Sequence, residues 1–479
     1  MTPAHLVADG ETTITVPIAP EQAASGPYVY IPFIVPAGVT RLDLRVVYER
    51  TRDFYIDLGI FDPSATNFPT SDGFRGWSGG ARDRFFIATD AATPGYVAGP
   101  IPAGTWQVIL GLIGTPPAGF AATFMFATST AARPPKPPVS FPEPRRSEPG
   151  WYKGDLHAHT FHSDAAGAPE LLHRTAAAKG LDFLAITDHN TTTAWDYFGP
   201  ASSPDLVFLK GMEVTTKRGH ANAFGLPDWV DFRMVEQDDP HKLADAVGAL
   251  GALLSINHDK PPIPWLHTMP RIDCMEVWQH LWLALNDQSL ALYDKRLATG
   301  ARITAIGGSD YHQPDRFEPD NPFGLASPTT VLYLDELSVD GILAGLRSGR
   351  GYITEAPDGP HLEITVNDTP MGGTATRGET QTVTANVNGA AGDQLVLVGE
   401  QGEVAHRIIP DDRSVMTLKV SGADTFLRAE IQAEASTERL VNLVRDYYRS
   451  VPEPRPPLPD PQSPPVIRRA LSNPVYFEP

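Results

Sequence analysis

At 479 residues the chain exceeds the size at which a single hydrophobic core stops growing, so its length predicts two or three domains, and its 42% hydrophobic content is that of a globular protein. Thirty-eight basic residues against 57 acidic ones leave a net charge of -19, which disfavours attraction to a phosphate backbone and argues against nucleic acid as a partner. The single cysteine, Cys274, excludes an intrachain disulfide and thiolate metal sites, so any metal is expected on nitrogen and oxygen.

The N-terminus, "MTPAHLVADGETTITVP", lacks a basic start followed by an apolar run, and no stretch of about 18 apolar residues occurs further on. A cytoplasmic protein without a signal peptide or membrane association is the expectation. Residues 1–132 then read as short strands between Gly, Pro, Asp and Ser: "TTITVPI", "YVYIPFIV", "RLDLRVVYE", "FYIDLGIF", "RFFIAT", "TWQVILGLI" and "ATFMFAT". This spacing predicts an N-terminal β-sandwich. The proline-rich run at 133–149 predicts a stiff, extended linker.

From 150 to 356 strands alternate with helical segments. "ELLHRTAAAKG" has apolar residues at helical spacing and stops at Gly180, and "DFLAITDH" follows as a compact strand. "HKLADAVGALGA" leads likewise into "LLSINH", and "DKRLATG" into "RITAIGGSDYH". The alternation predicts a mostly parallel sheet or barrel covered by helices. After 357 the β pattern returns in "HLEITVN", "QTVTANV", "DQLVLVG" and "FLRAEIQAE". A second, smaller C-terminal β-sandwich over 357–479 is expected, its last strand coming from "ALSNPVYFEP" after a proline-rich insertion at 451–465.

The predicted strands of the middle region end repeatedly in metal-capable residues. "DLHAHTFHSD" supplies His157, His159 and Asp164; "ITDHN" supplies Asp188 and His189; "GMEV" and "GHANAFG" supply Glu213 and His220; "INHDKP" supplies His258; "GGSDYH" supplies Asp310 and His312. In a parallel α/β barrel the carboxyl ends of the strands meet on one face, so these separated motifs are expected to converge. Neutral imidazoles mixed with carboxylates suit two or three divalent ions of the Zn, Mn or Fe kind. Read one at a time, each histidine is as well explained by packing or a surface position. His162, His173, His241 and His267 are left in that class.

This ordered series resembles the PHP family, named for polymerase and histidinol phosphatase domains, across roughly Trp151 to Thr354. "GMEVTT", "GHANAFGL" and the terminal "ALSNPVYF" resemble its carbaryl-hydrolase-like CehA/McbA branch. The resemblance implies a multidomain protein with a distorted (β/α)7 barrel and a trinuclear metal centre. His157, His159, Glu213 and Asp310 would hold one ion, Glu213 would bridge to a second on His220 and His258, and Asp164, His189 and His312 would hold a third. Asp188 is assigned to proton handling or to orienting His189.

Such a centre would hydrolyse a small-molecule ester with a metal-activated hydroxide. A phosphate mono- or diester is the first reading, with cleavage of a carbamate or carboxylic ester as the rival and a non-catalytic binding module as the third. Lys153, Lys260 and His280 are candidate substrate contacts. Trp278 and Trp282 would line an apolar pocket or pack in a core. The glycines of "GGSDYH" are expected to permit tight turns.

Overall fold

The structure is a computed structural model, and it describes residues 2–24, 26–51, 54–65, 67–114, 119–142, 144–313, 324–433 and 466–478. The N-terminal region forms two sheets. One orders Ala4–His5, Tyr28–Val35, Gly104–Ile113, Tyr55–Phe61 and Phe74–Trp77; the other orders Glu11–Ile18, Phe120–Ser129, Arg41–Tyr48 and Arg84–Ala88. Side chains alternate along each strand, and the inward sets share one buried core that includes Phe33, Leu58 and Trp106 with Leu44, Phe124 and Phe126. Ala4–His5 and Phe74–Trp77 were not expected from the sequence, being only two and four residues long.

The opposite face of the first sheet is also covered. Phe61, Trp77 and Ile109 belong to the core of the central region. Phe74 stacks on Trp229 at 4.2 Å, and Trp77 meets Phe232 at 4.6 Å. The described part of 133–149 contains no helix, as its prolines require. It lies against its neighbours rather than free of them: Arg133 pairs with Asp90, Lys136 with Asp196, and Arg146 with Asp182.

The central strands are β1 (Gly150–Asp155), β2 (Phe183–Ile186), β3 (Val207–Thr216), β4 (Gly219–Phe224), β5 (Leu253–Ile256), β6 (Cys274–Gln279), β7 (Thr304–Gly308), β8 (Thr329–Leu334) and β9 (Gly351–Thr354). Helices α1 (Pro169–Ala178), α2 (Trp195–Ala201), α3 (Asp239–Ala249), α4 (Asn286–Ala298) and α5 (Val339–Ser348) lie between them. The expected helix does stop before Gly180, whose φ of 63° suits a residue without a side chain. The sheet runs β7-β6-β5-β4-β3-β2-β1-β8-β9. It is less parallel than expected: β3 and β4 form an antiparallel pair, as do β4 and β5. Its β7 edge curls back toward β1 beyond the strand ends, where Ala158 bridges Tyr311 in parallel and His159 N–H donates to Tyr311 O at 3.0 Å.

The C-terminal strands do not stand apart from this sheet. Arg468–Ser472 pairs with β9 on one side and with Phe426–Gln432 on the other, joining the central strands to Gln394–Gly399 and Gly402–Ile408 in one continuous sheet. His361–Val366, Gln381–Asn388 and Arg413–Val420 form a second sheet that shares a core with it. The last strand is thus supplied by the terminal segment as expected, while the proline-rich insertion at 451–465 lies outside the described residues. Among the described residues no helix is long and apolar enough to cross a membrane.

Candidate metal centre

Glu213 sits midway along β3, fully buried, and its two oxygens stand 2.6–3.7 Å from nitrogens of five imidazoles, those of His157, His159, His189, His220 and His258. His157 and His159 follow β1, His189 follows β2, His220 faces Thr215 across the β3–β4 pair, and His258 follows β5. A strand-end position was expected for Glu213. The structure instead continues β3 past it, because β2 extends alongside through a bridge between His189 and Glu213.

Asp310, just beyond β7, places Oδ1 3.3 Å from His157 Nε2 and 3.0 Å from His159 Nε2. Asp164 Oδ1 lies 3.4 Å from His189 Nε2 and 3.3 Å from His312 Nε2. The His159 ring lies 4.4 Å from that of His189 and 4.2 Å from that of His312. All nine residues expected to converge are therefore together. They form overlapping groups of ligand atoms, each within 4.8 Å: His159, Asp164, His189 and His312; His157, His159 and Asp310; His157, Glu213 and His258; His189, Glu213 and His220.

The clustered carboxylates draw positive charge into the site. Burial opposes ionisation of Glu213 and Asp310, yet the surrounding imidazoles hold both carboxyls well below their usual range. Despite burial, Asp164 and Glu213 draw the His189 pKa up to about 10, and Asp310 and Asp164 draw His312 up to about 9. His159 is driven down to about 3 by burial and by the neighbouring His312 and His189, so its ring is neutral at neutral pH and one of its nitrogens offers a lone pair. His157 Nε2, His159 Nε2 and Asp310 Oδ1 are buried with no hydrogen-bond partner. Buried polar atoms are rarely left so, and a divalent cation fits a pocket where they converge.

Several supporting residues escaped the sequence reading. Glu276, on β6, sets Oε1 2.9 Å from His157 Nδ1 and accepts the His258 N–H at 2.9 Å. It thereby turns His157 Nε2 toward the cluster. Asn257 donates to Glu213 at 2.8 Å, Gln279 donates to Asp310 at 2.7 Å, and Thr215 Oγ1 lies 2.6 Å from His189 Nδ1. The one available signal was a lone acid inside the apolar run "CMEVW". His258, Asp310, Asn190 and His280 all adopt positive φ, so unusual backbone gathers at these strand ends.

Asp188 lies beside His189 in sequence and holds a neighbouring turn. It accepts Thr160 N–H at 2.8 Å, Thr160 Oγ1 at 2.7 Å and Ser163 Oγ at 2.6 Å, and so orders the turn that carries Asp164. Lys153 is engaged elsewhere, donating to Pro357 O at 3.2 Å. Lys260 is buried beside the cluster, its ammonium 2.5 Å from Asn286 Oδ1, and burial lowers its pKa to about 7 against the pull of Glu276 and Asp310. His280 also adjoins the cluster, its pKa lowered to about 3 by burial.

Trp278 and Trp282 pack against each other at 4.9 Å, and the Trp282 indole donates to Val466 O. Gly307 and Gly308 are not turn residues. They lie within β7, where a Cβ on Gly308 would come within 2.5 Å of Glu276 Oε1 and of His157 Cβ. A separate cavity of about 300 Å³, lined by Phe141, Trp195 and Lys210, contains none of the nine clustered residues.

Residues 155–289 match the PHP domain family. His157 through His258 fall inside that match, and Asp310 and His312 lie beyond it. No curated protein matches the chain. Among solved structures, a two-domain protein from Bacteroides vulgatus containing a predicted PHP-like metal-dependent phosphoesterase is 18% identical, with a TM-score of 0.36 over 63% of this chain and 95% of its own. An amidohydrolase from Chromobacterium violaceum is 18% identical, with a TM-score of 0.24 over 36% of this chain and 93% of its own.

Proposed function

We propose that this protein is a metal-dependent hydrolase of small phosphate mono- or diesters. The observation that carries the reading is the convergence of nine His, Asp and Glu side chains around Glu213, most of them inside the PHP match. In this reading the central strands form a distorted (β/α)7 barrel within 150–356, flanked by β-sandwich modules over 1–132 and 357–479.

Three divalent ions are proposed, one on His157, His159, Glu213 and Asp310, one on Glu213, His220 and His258, and one on Asp164, His189 and His312. When bound, such ions lower the pKa of a bound water toward neutrality and polarise a phosphoryl oxygen. The protein's own part is positioning and charge. Glu276 and Thr215 fix ring orientations, Asn257 and Gln279 fix carboxylates, and the buried Lys260 amine, with its pKa near 7, adds a partly protonated donor beside the cluster that favours an anionic ester. The indoles on which an aryl carbamate pocket would draw are committed to packing.

The test is turnover of nitrophenyl phosphate monoester, phosphate diester and N-methylcarbamate by chelator-stripped protein reloaded with Mn or Zn, beside a double His157→Ala, His159→Ala variant. Phosphate ester turnover that disappears in the variant supports the proposal. Turnover of the carbamate alone overturns it.

A further inference from the structure

Asp164 is the most exposed member of the cluster, with 48% of its side-chain surface open, and it sits on a turn rather than on a strand. The barrel alone does not hold that turn. Asp188 grips it from one side through the donors of Thr160 and Ser163. From the other side comes a residue of the N-terminal region: Arg82 donates to Ser163 O at 3.0 Å and also to Phe161 O. One guanidinium thus spans the carbonyls on either side of His162, the second of them on Ser163, immediately before Asp164, a two-point contact matched to its rigid fork.

The neighbouring Gly95 secures the second loop of the same subsite. Its N–H donates to Thr193 Oγ1 at 3.0 Å and its carbonyl accepts Thr191 Oγ1 at 3.2 Å, three residues or fewer beyond Asn190, which follows His189. Thr193 Oγ1 in turn lies 2.8 Å from His162 Nδ1, tying this loop back to the Asp164 turn. Gly95 has a φ of 92°, and a Cβ there would come within 2.6 Å of His162 O. The approach of the two regions is therefore close enough to require glycine. These contacts all fall at the solvent-facing half of the cluster.

We propose that Arg82 is a positioning residue for the metal subsite formed by Asp164, His189 and His312, so that the N-terminal region completes the catalytic centre. The proposal rests on the reading of Asp164 as a metal ligand. Outer contacts of this kind change metal affinity by about 10- to 100-fold when removed.

The experiment loads the full chain with Zn and follows its release to a chromogenic chelator for wild type, Arg82→Gln, Arg82→Lys and Asp164→Asn, with thermal unfolding recorded for each. The expected result is one class of Zn released about 10- to 100-fold faster from Arg82→Gln, the same class that Asp164→Asn affects, with the remaining Zn at wild-type rates. Arg82→Lys, which keeps the charge but not the two-point contact, is expected between them and decides the matter if Arg82→Gln fails to fold. Wild-type release from both Arg82 variants, with one class lost in Asp164→Asn, overturns the proposal and leaves the ligand reading standing. Acceleration of every class together overturns it as general loosening. Unaltered release from Asp164→Asn overturns the ligand reading and the proposal with it.

Discussion

His157, His159 and Glu213 have no exposed side-chain surface, whereas Asp164 and His312 keep 48% and 32% of theirs open. The buried half of the cluster is set by strands, and its outward-facing atoms are tied by Glu276, Asn257 and Gln279 from adjoining strands and strand ends. The open half is set by turns, held by Asp188 and by Arg82 from another region of the chain. A grip built into the sheet resists local opening, while one built from loops opens at lower free energy. Under the proposed function, the buried half would retain ions and the open half would exchange ligands and meet substrate.

Removing the group that both halves share has the largest expected effect. Glu213→Ala is expected to bring hydrolysis to background and to lower metal content across more than one subsite, measured by elemental analysis of reloaded protein beside turnover. Retention of full metal content would place the ions elsewhere. Glu276→Ala isolates the buried half: it leaves the His258 N–H and His157 Nδ1 without their partner, so metal affinity is expected to fall by about 10- to 100-fold. Stability should fall by about 1–3 kcal/mol, read from denaturant unfolding of the metal-free protein.

Asp188→Ala addresses the open half. Release of the loosely held metal class is expected to quicken by about 10-fold with the tightly held class unchanged. Loss of one limb of the pH–rate profile with unchanged metal release would instead support proton handling by Asp188.

The smallest effect concerns Asp57, on the face of the N-terminal sheet turned away from its own core. Burial pushes its pKa up to about 7, against the pull of Lys217 and His189. The folded carboxyl therefore keeps its proton up to about pH 7, whereas the unfolded one releases it near 3.8. The folded state binds the extra proton between those values, so this contribution to stability is full below the unfolded pKa and is lost as pH rises through the folded one. Asp57→Asn abolishes that slope. In chelator-stripped protein its thermal midpoint is expected to gain on wild type between about pH 5 and about pH 8, and a constant difference would refute the assignment.

The convergence of these residues was legible because strand ends bearing His, Asp and Glu stand out against apolar runs, and "ITDHN" and "GGSDYH" needed no knowledge of pairing. The residues that orient these side chains were not legible, since their partners are brought close only by folding. Glu276 is separated from His157 by more than a hundred positions, and Arg82 lies beyond the proline-rich segment from the turn it holds. Glycines misled for a related reason: a sequence shows that a Cβ is missing at Gly308, but not that His157 occupies the space. The extended strands of the outer regions were mostly visible by their alternation. The antiparallel return of β4 was not, because "GHANAFG" is short and buried on nearly all sides.

Asn473 follows the Arg468–Ser472 strand and acts like one more rung beside β7, its side chain receiving Ala305 N–H at 2.7 Å and donating to Ala305 O at 3.1 Å. On a ribosome, β7 and the ligands that follow it emerge well before this clamp is made. A nascent chain therefore makes this contact to β7 only after the residues of β7 have long been synthesised. A premature stop codon just upstream of Asn473 would thus remove a contact to β7 as well as the residues after it.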